Sequence, residues 1–522
     1  MAVILVCVAA VRLRLLNLPL ERDEGEFAYM GRLLLEGVPP YKLAFNMKMP
    51  GIYLAYAAGM ALFGQTVAGI HATLMVVNLA TIVLVFLLGR RLLGGCAGIV
   101  AAAVFAVMSC SPSHLGFAGH ATNFVTLAAV GGLLVGLRAL ESRRSLEFLA
   151  AGLLMGISFL MKQPGAFLAL FLGIYILWSE LRARPAEVRM PVAGVSLYAL
   201  GALLPFALTC LWLWNAGVFD RFWFWTFSYA SQYASQLPIG KAYEAFTRSG
   251  AAGIGANSWT WGVSAVGLAA LAWDARVRRH GVFLVGLLLF SAAAVCPGFY
   301  FREHYFVPVF PALGLLAGAG VVSCAGLLER SCGRTWSALI PAIPLLLALS
   351  HSVDANSEYL FRATPEEACR ITYGVNPFPE SIRVAEYIEK HSKPGDKVFV
   401  FGSEPQIYFL SDRRSATGHI YMYGLVENHA YARRMQAEMI REVEANNPRY
   451  VVFVYVTTSW LPHEGMMQPI IDWFNGYANR NLRVVGVVDI LSTTYTEYCW
   501  GEDAASYRPM SSAYMIVLER QR

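Results

Sequence analysis

The sequence predicts a polytopic α-helical membrane protein with a C-terminal extracytoplasmic α/β domain, and three observations predict it. Hydrophobic residues make up 57% of the 522-residue chain and charged residues only 15%, against roughly a quarter charged in an ordinary soluble domain. About eleven apolar runs have lengths suited to the hydrocarbon core of a bilayer. From about residue 351 the composition changes to alternating helical and β-branched segments. The net charge of +6 forms neither a Lys/Arg block nor a basic-aromatic groove, so nothing in the chain offers a nucleic-acid surface.

The apolar runs lie near 2–19, 66–88, 95–113, 122–139, 147–161, 165–179, 191–214, 251–273, 281–297, 305–328 and 335–350. The first lacks the cleavage site of a signal peptide; its Arg12 and Arg14 are expected to snorkel to the membrane surface. With the N-terminus inside, the loops after every second run hold Arg90, Arg91, Arg143, Arg144, Arg182, Arg184, Arg189, Arg276, Arg278, Arg279, Arg330 and Arg334. The opposite loops are longer yet sparser in basic residues, and cytoplasmic loops are the ones enriched in Lys and Arg. This orientation puts the stretch "ERDEGE" (21–26) and everything after the last run outside, at a plasma membrane.

Residues 24–36 have helical periodicity suited to lying along the membrane surface, and "MPGIYLAYAAGMALFG" (49–64) is a second short helix. The loop 215–250 opens on Trp, Phe and Tyr residues of the kind that populate the interfacial belt. Residues 1–350 thus form the membrane domain, with an outer loop at 20–65, and residues 351–522 the α/β domain. In the latter, 381–391 and 430–447 read as helices and 396–402, 449–456, 481–490 and 513–520 as strands, which alternate as in an α/β sandwich. Seven of the nine cysteines lie in or beside apolar segments; Cys369 and Cys499 stand apart and could pair outside the cytoplasm.

Three outward stretches gather chemistry. The first holds Asp23, Glu24 and Glu26; the second is "NMKMPG", with Lys48; the third is "FREHYF", with Arg302, His304 and Tyr305 at the mouth of a run. Each also has a plainer use. Asp23 and Glu26 have the spacing of a helix capping box, Lys48, Lys162 and Arg302 could be interfacial anchors, and His304 and Tyr305 could be belt residues. His114 and His120, on the short loop 114–121, could reach a cavity, with structural roles the favoured expectation. Glu404, Arg413 and Arg414 sit where a βα loop of the outer domain should be and could contact an anion or polysaccharide. In combination, carboxylates that take a proton, cations that hold a phosphate and apolar helices beneath them suit one reaction. A group would pass from a lipid-linked phosphate to a hydroxyl or amine. The competing reading is a transporter or flippase of lipid-linked sugars, but transporters place ionisable groups near the bilayer midplane, whereas these collect at one rim.

The stretches "RDEGEFAYMGRLLLEGVPPY" (22–41), "KMPGIYLAYAAGMALFG" (48–64), "GISFLMKQPGA" (156–166) and "HYFVPVFPALGLLAG" (304–318) resemble the GT-C glycosyltransferases. The likeness is to the bacterial relatives of dolichyl-phosphate-mannose protein mannosyltransferases and to the lipid A aminoarabinose transferase, and it covers about residues 1–350. It implies an inverting transfer from a polyprenyl-phosphate sugar to an acceptor in the cell envelope. Asp23 would be the catalytic base, Glu24 its support or an acceptor contact, Lys48 the phosphate ligand, and His304 and Tyr305 the lining of the donor cavity. Arg302 is read as a second phosphate contact, and Glu26 is grouped with the binding residues. "KMPG" departs from the commoner Lys-Pro-Pro by the inserted Met49. No cofactor is expected; Asp23, Glu24 and Glu26 offer hard oxygen ligands to Mg²⁺, but a metal-independent displacement is the favoured reading.

Overall fold

The computed structural model describes residues 1–183, 191–461 and 467–521; Arg184 and Arg189 of the charge pattern lie outside them. The membrane domain opens with nine helices: α1 (Ala2–Arg14), α2 (Arg22–Leu35), α3 (Pro50–Phe63), α4 (Val67–Leu93), α5 (Gly95–Ser109), α6 (Ala121–Ser142), α7 (Ser145–Met161), α8 (Gly165–Ala183) and α9 (Pro191–Asn215). Six helices among the described residues are long and apolar enough to cross a membrane: 67–93, 121–142, 165–182, 193–215, 303–329 and 335–354. Four shorter apolar helices lie at 50–63, 95–109, 145–161 and 281–293.

One expected span differs. The run 251–273 is broken into Ala251–Ala256 and Ser258–Ala269 by the non-helical backbone of Asn257. The runs 305–328 and 335–350 are two helices, as expected, separated by the non-helical backbone at Gly333, where φ is +72°. The two arginines of α1 do not snorkel. Arg12 is 3% exposed and donates to Asn78 Oδ1 at 3.1 Å and to the carbonyls of Ser109 and Gly116 at 3.1 and 3.0 Å. Arg14 donates to the Leu360 carbonyl at 2.9 Å. A guanidinium has five donors in a rigid fork, and free carbonyls at helix ends satisfy them inside the protein.

Small residues set the helix spacing. A Cβ on Gly152 of α7 would stand 2.1 Å from the Tyr198 carbonyl of α9, and one on Gly201 of α9 would stand 2.2 Å from the Leu149 carbonyl. Close backbone approach through glycine replaces the missing hydrophobic drive between helices in lipid.

The C-terminal domain is a six-stranded mixed sheet of β1 (Lys397–Phe401), β2 (Arg414–Ser415), β3 (Tyr450–Tyr455), β4 (Leu482–Ile490), β5 (Thr496–Trp500) and β6 (Tyr514–Arg520), in the order β2-β1-β3-β6-β4-β5. The four expected strands are its four central members. β2, with two residues, and β5, a half-buried edge strand, carry too little apolar signal to be read. Strands β1 and β3 run parallel, and β6 lies antiparallel between β3 and β4. Cys369 and Cys499 are both free thiols, so the anticipated disulfide is absent: Cys369 is buried in the helical core, while Cys499 sits on the edge strand opposite Val487.

α2 joins the two parts. A Cβ on its Gly25 would stand 2.4 Å from the Gln406 backbone nitrogen, so only glycine admits the α/β domain this closely. Arg22 pairs with Glu404 at 2.8 Å, and Arg32 donates to Asp412 at 2.9 Å and to the carbonyls of Phe409 and Tyr408 at 3.0 and 3.1 Å.

A candidate active site between the helices and the C-terminal sheet

Helix α2 begins one residue after Glu21, and its first turn sorts the four carboxylates by direction. The cap is Glu21 with Glu24: Glu21 Oε1 accepts from the Glu24 amide at 2.9 Å, and Glu24 reaches back to the Glu21 amide at 3.4 Å. The expected pair, Asp23 with Glu26, does not cap. Asp23 is thereby free to face a cavity of about 280 Å³, whose wall includes Glu21, Lys48, His120, Arg302, His304 and Tyr305.

Asp23 is the hub of this wall. Its Oδ2 meets Lys48 Nζ at 3.1 Å and His120 Nδ1 at 3.6 Å. Its Oδ1 accepts from the Tyr421 hydroxyl of the α/β domain, also at 3.1 Å. Burial raises the Asp23 carboxyl, but the charges and hydrogen bonds of Lys48 and His120 outweigh it and hold Asp23 well below its usual range. Burial lowers the Lys48 ammonium and Asp23 and Glu26 raise it, with a net rise. The pair is therefore an ionised carboxylate beside an ammonium. The inserted Met49 does not spoil the geometry: it is fully buried as the N-cap of α3, with Pro50 as first helical residue, and the Lys48 carbonyl is fixed by the Tyr41 hydroxyl at 2.7 Å.

Glu24 and Glu26 stand behind the wall rather than on it. Glu24 is fully buried and accepts from the Gly119 amide at 2.6 Å, with His71 Nε2 at 3.1 Å; it anchors the loop that carries His120. Glu24 does not line the cavity but touches its wall through the Glu21 amide, the supporting position of its two readings. Glu26 accepts from Asn46 Nδ2 at 2.6 Å and the Tyr53 hydroxyl at 2.8 Å, and only Asn46 reaches the cavity. Burial is the main cause that pushes the Glu26 carboxyl up to about 8. Between the unfolded carboxyl near 4.5 and about 8 the folded protein holds a proton that the unfolded chain has released, so stability falls as pH rises through that window. Glu26→Gln should keep the fold and flatten this slope, as thermal melts from pH 5 to pH 8 would read. Glu21, on the cavity, is pushed to about 7, chiefly by burial, with His120 opposing.

His304 and Tyr305 both line the cavity. The His304 ring stacks on His120 at 3.8 Å and 7° and meets Tyr305 edge-on at 4.8 Å. Lys162 lies over the Tyr305 ring at 3.9 Å, and burial, with Lys48 and Arg302, holds its ammonium well below the usual lysine range. It is half-buried against the Tyr305 ring. Arg302 faces the cavity with no acidic partner within 4.0 Å among the described residues.

Asp23, His120 and His304 present ligand atoms within 4.8 Å of one another, so the fit of a metal is testable. Imidazole lone pairs lie in the ring plane, and a metal sits about 2.0–2.1 Å along them. Two rings stacked face to face at 3.8 Å cannot both aim at one ion, and Lys48 already holds the carboxylate. The arrangement as it stands fits a proton and anion site better than a metal centre.

Elsewhere the structure corrects the reading of the outer domain. Glu404 is fully buried against Arg22 and Ser459, Arg413 donates to the carbonyls of Glu389 and Ser392 at 3.0 and 2.9 Å, and Arg414 pairs with Glu36. Glu404 and Arg413 are spent inside the domain or on its junction with the helices, Arg414 makes a half-exposed surface pair, and none of the three is among the residues lining the cavity. His114 packs edge-on against Phe310 at 4.8 Å, as a structural histidine. His120 is instead central, Glu21 of the acidic stretch 21–26 lines the cavity, and Tyr421 and Glu427 were not foreseen there.

Comparison with known proteins agrees with this picture. Residues 43–212 match the family described as dolichyl-phosphate-mannose-protein mannosyltransferase, a span that includes Lys48 and His120 but not Asp23 or His304. No curated protein matches the sequence. Among solved structures, ArnT from Cupriavidus metallidurans bound to undecaprenyl phosphate superposes with TM-score 0.60 at 15% identity, covering 99% of this chain and 97% of that one. The apo state of that protein gives TM-score 0.57 at 16% identity over the same shares. The archaeal oligosaccharyltransferase AglB from Archaeoglobus fulgidus, in complex with an inhibitory peptide and a dolichol-phosphate, gives 0.51 at 15% identity over 96% of this chain and 74% of that one. Identities this low speak to fold alone, and that fold extends over both the helices and the C-terminal sheet. The chain thus shares the fold of these structures and, over residues 43–212, is similar to the dolichyl-phosphate-mannose-protein mannosyltransferase family.

Proposed function

We propose that the protein is a membrane glycosyltransferase. It moves a sugar from a polyprenyl-phosphate donor to an extracytoplasmic acceptor in the cell envelope, with inversion and without a metal. The observation that carries this reading is the Asp23–Lys48 pair, 3.1 Å apart on one cavity wall, with the unpaired Arg302 on the same cavity. The family match over residues 43–212 and the lipid phosphates bound by structural neighbours support the donor class. The arginine-rich alternate loops support an inner-membrane protein with the site and the α/β domain outside.

In the reaction, an acceptor hydroxyl or amine attacks the anomeric carbon. The bond from that carbon to the phosphate oxygen breaks, polyprenyl phosphate leaves with the electron pair, and Asp23 takes the acceptor proton. Lys48 and Arg302 stabilise the charge that grows on the phosphate. Lys48 has two claimants. While it sits on Asp23 the carboxylate is a poor base; when a donor phosphate draws the ammonium away, Asp23 loses its strongest counter-charge and its proton affinity rises. Donor binding thus switches on the base.

Mass spectrometry of lipid-linked sugars and envelope glycans in a deletion strain tests the reading. One donor should accumulate and one glycan should lose a sugar; unchanged profiles of both would refute it. Lys48→Met should raise the donor KM by roughly 10- to 100-fold, the worth of a hydrogen bond to a charged group, as initial rates against donor concentration would read. Met510, 73% exposed on the α/β domain, serves for topology. Met510→Cys should react with a membrane-impermeant maleimide added outside intact cells, above the wild-type background.

A further inference from the structure

The cavity has a second wall that the proposed transfer does not use. It is built by Tyr229 and Tyr233, from the 215–250 segment, and by Tyr423 and Glu427, from the α/β domain. Glu427 is 5% exposed and follows the short helix Tyr423–Val426. Its Oε2 accepts from the Tyr229 hydroxyl at 2.9 Å and from Gln236 Nε2 at 3.1 Å. Among the described residues its Oε1 has no hydrogen-bond partner, and no cation lies within 4.0 Å of either oxygen. A buried carboxylate is costly unless its lone pairs are used, and here one oxygen is left over at a cavity wall.

Its surroundings are aromatic and polar at once. Tyr233 stacks on Tyr300 at 4.8 Å, Trp225 packs on Tyr229 at 5.1 Å and Tyr421 on Tyr423 at 5.0 Å. Arg302 adds a guanidinium with no acidic partner. A prenyl tail has no use for a carboxylate and a guanidinium, and a bare phosphate would be repelled by Glu427. A sugar ring fits both features. Its hydroxyl or amino groups donate to a carboxylate, its ring and hydroxyl oxygens accept from a guanidinium, and its C–H faces lie on aromatic rings.

We infer that this wall is a saccharide subsite in which Glu427 accepts a hydrogen bond from a ring hydroxyl or amino group. The α/β domain thereby takes part in choosing the substrate instead of merely covering the membrane domain. The inference rests on the transferase reading. The sugar has two possible sources, the ring carried by the lipid donor and a ring of the acceptor glycan, and Glu427 discriminates by the same chemistry in either case.

The test uses the full-length protein in lipid nanodiscs. The donor is the lipid fraction of the deletion strain, and the acceptor is the envelope fraction of the same strain. Glu427→Ala should raise one of the two KM values about tenfold or more while kcat stays within threefold. Glu427→Gln, whose amide oxygen still accepts, should recover most of the loss. A raised donor KM assigns the subsite to the donor sugar, and a raised acceptor KM assigns it to the acceptor glycan. Should the alanine variant fail to elute as a folded species on size exclusion, Glu427→Asp, which withdraws the carboxylate by one methylene, is expected to raise the same KM. Both KM values within threefold of wild type in a folded variant would overturn the inference, as would equal changes in both that Gln does not rescue. A wild-type protein that transfers nothing from these fractions would instead refute the transferase reading, and this inference with it.

Discussion

Asp23→Asn is expected to reduce sugar transfer by about 10²- to 10⁴-fold, the range contributed by a positioned general base, while the protein remains folded in the membrane. The amide keeps the shape of the carboxylate and still offers one oxygen to Lys48 or Tyr421, so the wall stays in place; what disappears is the proton acceptor and the negative charge. The loss should fall on kcat with little change in donor KM, because Lys48, released from its ion pair, remains available to the phosphate. Transfer measured with donor lipid from the deletion strain checks this. A variant with wild-type kcat would remove Asp23 from the reaction.

Glu404→Ala is expected to have the largest effect on the assembly of the two halves. Glu404 is fully buried and accepts from Arg22 at 2.8 and 3.1 Å and from the Ser459 hydroxyl at 2.6 Å. Removing one partner of a buried pair leaves an uncompensated charge, at a cost of about 3–5 kcal/mol. Here the stranded group is Arg22, next to Asp23, at the point where Gly25 lets Gln406 approach. The variant should melt earlier in detergent and should be cut by protease between helix and sheet at rates far above wild type. Transfer should fall with it, since the Tyr421 hydroxyl reaches Asp23 only when the domain is docked. Melting within about a degree of wild type would show that the pair does not hold the interface.

Much of this was legible in the residues. Apolar run lengths located most of the helices, and β-branched runs located the four central strands, because both signals are local. Asp23, Lys48, Arg302, His304 and Tyr305 could be named because acidic, basic and aromatic groups fall together on three stretches at one rim, although each alone also has a plainer use at a membrane surface. What could not be read was relational. The capping register of α2 turns on whether the helix begins at Arg22 or two residues later, and that choice decides which of four carboxylates faces the cavity. A lone His120 in an eight-residue loop carries no local signal; only the stack on His304 and the carboxylate 3.6 Å away reveal its place. Glu404, Arg413 and Arg414 looked like ligand contacts because nothing in sequence shows that Arg22, a helix carbonyl or Glu36 will take their charges. Arg12 and Arg14 misled for the same reason.

The placement of β6 bears on how the sheet closes. This strand, residues 514–520, lies between β3 and β4 at the middle of the sheet, although β1 and β3 precede it by many residues in the chain. The pairs β1–β3 and β4–β5 are bridged only through it. A molecule with β6 displaced would therefore hold its helices in the bilayer while the segment bearing Tyr421 and Glu427 lacks a finished platform, and its chemistry would lie dormant.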